Sequence, residues 1–205
     1  MATSPNFTTA PAVGSNVLSA TADSSYTAPT HSVVVLSAAP VTPAQTFTQA
    51  TVGSQILTAS AAFTSLQPNP APAVGWQVVG AGIAPGTTVL AISGTTLVIS
   101  AGITAALSAT TLSFVCNGIK VDEVDFFGTG TVVAGMVQLY LYDGTTYHAF
   151  YTLAVVSPGA PSTTVAPYAY SIPFDLVEIP PGWSLNASSF VASQLINVVG
   201  IGGYF

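Results

Sequence analysis

Short β-prone runs, each cut off by a proline or glycine turn, set the first limit on how this chain can fold. Val33-Val34-Val35-Leu36, Thr96-Leu97-Val98-Ile99 and Gln138-Leu139-Tyr140-Leu141-Tyr142 are rich in β-branched and aromatic side chains. Such side chains pack well on a pleated surface and lose rotamer freedom in a helix. Between the runs stand Pro85-Gly86, Ser93-Gly94, Asp143-Gly144, Pro158-Gly159 and Pro181-Gly182. Proline fixes φ and glycine permits positive φ, so each pair sets a turn. No stretch combines a helix cap with an apolar period of 3.6 residues. The pattern predicts an all-β fold, an antiparallel β-sandwich of jelly-roll-like form carrying a small inserted β domain.

The domain plan follows from where the runs fall. Residues 1–30 are rich in Ser, Thr, Ala and Pro and read as an N-terminal extended arm. His31-Ser32-Val33-Val34-Val35-Leu36 is the first clear strand. The low-complexity run Ala38-Ala39-Pro40-Val41-Thr42-Pro43-Ala44 reads as a boundary. A coherent set of short strands then fills 50–116, the inserted β domain. Residues 31–49 and 117–205 are assigned to the sandwich. In Ile119-Lys120-Val121-Asp122-Glu123-Val124-Asp125-Phe126 the apolar alternation slips once near Glu123, the mark of a bulge. Asp143-Gly144, between two long β-prone runs, is the strongest hairpin signal in the chain.

Charge narrows the function. Only 4% of the 205 residues are charged, with a net charge of -6, against about 25% charged in an ordinary domain. Apolar residues make up 50%, enough for a core, so the composition is not the polar, highly charged one of disordered chains. The surface must come from Thr, Ser, Gln, Asn, Gly and backbone amides, with little repulsion to hold copies apart. That suits a protein packed against partners. Lys120 is the single basic side chain. Neutralising phosphates takes several Lys or Arg, so no nucleic-acid partner is expected. A basic membrane-binding patch fails for the same reason, and no run of about 18 apolar residues predicts a membrane span. The first residues carry no basic region and no apolar core of a signal peptide.

Catalysis has little to draw on. His31 opens an apolar strand and His148 lies among aromatics; both read as structural or surface histidines. Asp122-Glu123-x-Asp125 is the one acidic cluster, with no EF-hand spacing, and reads as a polar sheet face or a link to Lys120. Cys116 stands alone in an apolar run, a buried inert thiol. No nucleophile elbow, P-loop or dinucleotide fingerprint occurs. The chain is therefore read as no enzyme, with no catalytic, cofactor-binding or metal residues and no cofactor. The aromatic residues concentrated in the last third are the remaining candidates. Tyr140, Tyr142, Trp183, Tyr204 and Phe205 are candidate interface residues, since Tyr and Trp join apolar area to a polar tip.

Three segments carry a resemblance. Gly118-Ile119-Lys120-Val121-Asp122-Glu123-Val124, followed by Gly128-Thr129-Gly130 and Ala134 through Gly144, resembles small virion structural proteins of tailed bacteriophages. Ile179-Pro180-Pro181-Gly182-Trp183-Ser184-Leu185-Asn186-Ala187-Ser188 is similar to a late element of the same proteins. Gln138 departs from them, standing where relatives often carry arginine. The middle segment, with Gly80-Ala81-Gly82-Ile83-Ala84-Pro85-Gly86, looks like a second β module found in phage structural proteins. The resemblance implies a decoration or cement protein bound to the major capsid protein or other virion proteins, on the outer capsid surface, after a period in the host cytoplasm. It also implies a homo-oligomer, with a trimer the form suited by analogy. The alternative it leaves is a tail, baseplate or head-fibre adhesion module binding host-surface glycan.

Overall fold

The structure, a computed structural model, describes residues 11–63, 71–159, 161–162 and 165–204. These residues form an all-β fold of multiple antiparallel sheets. The chain divides into two compact units. Unit 1 contains residues 38–118 and takes in Tyr204; unit 2 contains 12–37 and 119–203. In chain order the strands are β1 Pro11–Val17, β2 Val33–Ser37, β3 Thr46–Gln49, β4 Ile56–Ala59 and β5 Gln77–Val79. Then come β6 Val89–Ser93, β7 Thr96–Ile99, β8 Leu107–Thr111, β9 Ser113–Val115 and β10 Ile119–Gly128. The last are β11 Gly135–Tyr142, β12 Tyr147–Val155, β13 Ala169–Ile179, β14 Ser184–Ser189 and β15 Ile196–Tyr204.

Unit 1 holds a sheet in the order β6-β7-β4-β3-β8 and a separate pair, β5-β9. Its core gathers Phe47, Leu57, Leu97, Ile99 and Phe114, all fully buried. Phe47 and Phe114 meet with ring centroids 5.8 Å apart. β7 shows the period of two: Leu97 and Ile99 are buried while Thr96 and Val98 are half-buried. Ser93 pairs with Thr96 across a two-residue turn, where Gly94 adopts φ +58°. The expected boundary moves here. Residues 38–49, assigned from sequence to the other domain, carry β3, which pairs with β4 and β8 inside unit 1.

Unit 2 has two four-stranded sheets, β1-β15-β10-β13 and β12-β11-β14-β2. In β10 the buried residues are Ile119, Val121, Val124 and Phe126. The pairing with β13 slips between Val121 and Glu123, the irregularity foreseen in the sequence. The slip sets residues 174–176 against Asp122 alone, beside Pro173. Proline has no N–H for a ladder, and it fits at a bulge on an edge strand. β12, the edge of the other sheet, has its own slip: Leu139 faces Tyr151 and Tyr140 faces Ala149, so Phe150 is the extra residue. The two irregularities are used. Phe174 sits edge-on to both Phe150 and Tyr151, at 5.7 and 5.6 Å.

The segment read as an extended arm is structured over its described part. β1 lies at the edge of the first sheet, and a strap of residues 18–32 then crosses the second. Asp23 N–H donates to Ser189 O, Ser193 N–H donates to Ala20 O, and Tyr26 stacks on Phe190 at 4.1 Å. The strap explains why all six residues of β14 are buried although Ser184, Asn186, Ser188 and Ser189 are polar. Residues 1–10 of the expected arm lie outside the described residues.

Candidate functional site

β11 lies between β12 and β14, and this order assembles the aromatic residues. Tyr142 pairs with Tyr147 on one side and with Ser184 on the other. The hairpin loop, residues 143–146, and the Pro180–Trp183 turn therefore stand next to each other at one end of the sheet. Gly144 in the loop has φ +98° and Gly182 in the turn has φ +83°, conformations that side chains with a Cβ resist. Trp183 N–H donates to Pro180 O across the turn.

Asp143 organises this end. Its Oδ1 accepts from Thr145 N–H at 2.8 Å, Thr145 Oγ1 at 2.7 Å and Thr146 N–H at 2.7 Å. Its Oδ2 lies 3.1 Å from His148 Nε2. The Thr145 hydroxyl, then the two backbone N–H groups and His148, hold the carboxyl well below the usual carboxylate range. His148 stacks on Trp183, with centroids 5.3 Å apart and planes 14° from parallel. Tyr142 stacks on Tyr147 at 4.2 Å and donates its hydroxyl to Gly144 O. The Asp143 side chain is 23% exposed and that of His148 49%; Tyr142, Tyr147 and Trp183 are half-buried.

A second polar cluster lies within the strap and where it meets the sheet. Asp23 Oδ1 accepts from Thr30 N–H at 2.7 Å and His31 N–H at 3.0 Å, with His31 Nδ1 at 3.4 Å. The Asp23 side chain is 1% exposed, and its Oδ2 has no hydrogen-bond partner. Ser32 Oγ donates to the Tyr147 hydroxyl, and the Tyr140 hydroxyl shares a hydrogen bond with Ser188 Oγ. Burial pushes the Tyr140 hydroxyl above its ordinary value.

The five candidate interface residues separate. Tyr140 is fully buried; its ring fills the space under the strap and offers nothing to a partner, which corrects its place among interface residues. Tyr204 is buried too, against Trp76 at 5.2 Å, and burial raises its hydroxyl to about 12; it also leaves the interface set. Tyr142 and Trp183 remain partly accessible at the hairpin end. Phe205 lies outside the described residues.

The other candidates fall as follows. Cys116 is buried, its Sγ donating to Ala38 O at 3.7 Å, and burial raises its thiol. Asp122, Glu123 and Asp125 are half-buried in β10, where Glu123 accepts a hydrogen bond from Ser171. Among the described residues no three His, Cys, Asp or Glu side chains gather closely enough to hold a metal ion. No helix among them is long and apolar enough to cross a membrane. Sequence reasoning missed Asp23 and the meeting of His148 with Trp183. Neither has a spacing signal, because both depend on which strands flank β11 and β14. No family model, curated protein or solved structure matches the chain.

Proposed function

We propose that this chain is a structural protein, non-enzymatic, built as a jelly-roll-like β-sandwich with an inserted β module. More specifically, it is a virion component of a tailed bacteriophage that decorates the capsid surface and stabilises the head. The resemblance of the segments around Gly118–Val124, Ala134–Gly144 and Ile179–Ser188 supplies the class. The observation that carries the mode of action is the surface. Large apolar side chains stand exposed on a nearly uncharged chain, among them Val156 at 75% and Val52, Val74, Leu90 and Tyr170. A neutral surface with apolar side chains suits association through apolar contact and backbone or hydroxyl hydrogen bonds. The mechanism is stoichiometric. A protein that binds assembled capsid subunits but not their unfolded forms stabilises the shell by mass action.

The test is reconstitution. Particles that lack this protein, incubated with the purified chain, are expected to bind it at saturating, symmetry-related positions on the shell and to resist heat better. Particles that bind none, or gain no stability on binding it, would refute the decoration role.

A further inference from the structure

We infer that Trp183, His148 and Asp143, with Thr145 beside them, form a binding site for neutral saccharides. The inference concerns a ligand and does not depend on where the chain sits in a particle.

Four observations carry it. First, His148 and Trp183 stack on each other 14° from parallel, which leaves each ring an outer face, His148 being exposed and Trp183 half-buried. A planar aromatic surface suits the C–H face of a sugar ring, and Trp adds a polar N–H at its edge. Second, the His148 ring is held before any ligand arrives: Asp143 Oδ2 lies 3.1 Å from His148 Nε2, and Asp143 is itself held by Thr145 and Thr146. Preorganisation of this kind lowers the ordering cost of binding. Third, hydrogen-bonding capacity remains at the rim. The carboxylate oxygens have further lone pairs, and the exposed Thr145 hydroxyl, having donated to Asp143, can still accept. A sugar hydroxyl donating to a carboxylate makes a charge-assisted bond.

Fourth, charge selects the class. Asp143 brings a carboxylate to the cluster, and the chain's single Lys or Arg residue, Lys120, is in β10 of the other sheet. An anionic sugar would meet repulsion from that carboxylate, with no Lys or Arg to offset it. A cationic ligand needs aromatic faces arranged around it. Here the rings stack in pairs, His148 on Trp183 and Tyr142 on Tyr147. Stacked pairs offer flat faces and leave no box for a cation.

Calorimetric titration of the full chain tests this with neutral oligosaccharides of glucose, galactose and mannose, with sialyllactose, and with choline. Saturable binding of a neutral saccharide is expected. Trp183→Ala and His148→Ala should each weaken it about tenfold or more, the scale of one lost charged hydrogen bond or ring contact. Tyr170→Ala, at an exposed tyrosine on β13, should leave it unchanged. Trp183 also gives a direct signal, because the other tryptophan, Trp76, is only 1% exposed; sugar binding should shift the emission of Trp183. If Trp183→Ala fails to fold, His148→Ala and the emission shift decide. Absence of binding across the neutral panel, preference for sialyllactose or choline, or binding that survives both substitutions would each overturn the inference. A chain that binds capsids but no sugar would refute this site alone.

Discussion

Replacing Gln138 with alanine should weaken unit 2 by an amount the structure sets. Gln138 is buried in the middle of β11, paired with Thr152 one position before the slip that leaves Phe150 unpaired. Its Nε2 donates to Tyr151 O at 2.7 Å and to Leu139 O at 3.1 Å, and its Oε1 accepts from Thr152 Oγ1 at 2.5 Å. The side chain thus satisfies a carbonyl beside the bulge. Alanine leaves the Tyr151 carbonyl without that donor, at a cost of about 1–3 kcal/mol. Loss of the buried methylene adds roughly 1 kcal/mol. Thr152 is exposed and returns its hydroxyl to water at little cost. The sum is about 2–4 kcal/mol, or a fall in Tm of roughly 10 °C for a unit of this size. Thermal melts followed by circular dichroism or calorimetry would measure it on the unit 2 transition. A fall of less than about 2 °C would refute the clamp, showing that water or a relaxed ladder satisfies the bulge as well as Gln138 does.

Three further outcomes follow from the same geometry. The Asp143 carboxyl is held low in the fold by Thr145, Thr146 and His148, so it contributes stability above the ordinary carboxylate pKa of about 4 that is lost as pH falls towards its folded value; Asp143→Asn should flatten the acid side of a plot of Tm against pH. Gly202→Ala would set a Cβ 2.2 Å from Lys120 O, a backbone atom that cannot swing away, and should cost about 1–3 kcal/mol by overpacking, read from chemical denaturation. Cys116 is buried with a raised thiol, so a thiol reagent should leave it untouched in the folded chain and modify it once denaturant unfolds unit 1; rapid labelling without denaturant would contradict its burial.

Much of this was legible because local chemistry agreed with the final packing. Asp143-Gly144 gave its hairpin because a turn needs one residue that can close an Asx ring and one that tolerates positive φ, and both functions are met there. The slip in β10 was visible because Val121 and Val124 break the period of two and both are buried. β1 was not legible. Its Pro-Ala-Val-Gly-Ser-Asn-Val sequence has few β-branched residues, and its edge place in the first sheet is a long-range fact. β14 was misleading in another way: its polar residues suggest an open face, yet the strap covers them. The aromatic set failed in part for the same reason. Tyr140 and Tyr142 alternate as the sequence says, but the strap buries Tyr140 beside Ser188 while Tyr142 lies beyond it at the hairpin end.

The proposed capsid role rests on particle location, so a symmetric reconstruction of the assembled phage is its most direct test. Decoration predicts density for this chain in many symmetry-related copies on the outer shell, touching the major capsid protein through its exposed apolar side chains. Density confined to the tail or baseplate, or a particle without the chain, would contradict it.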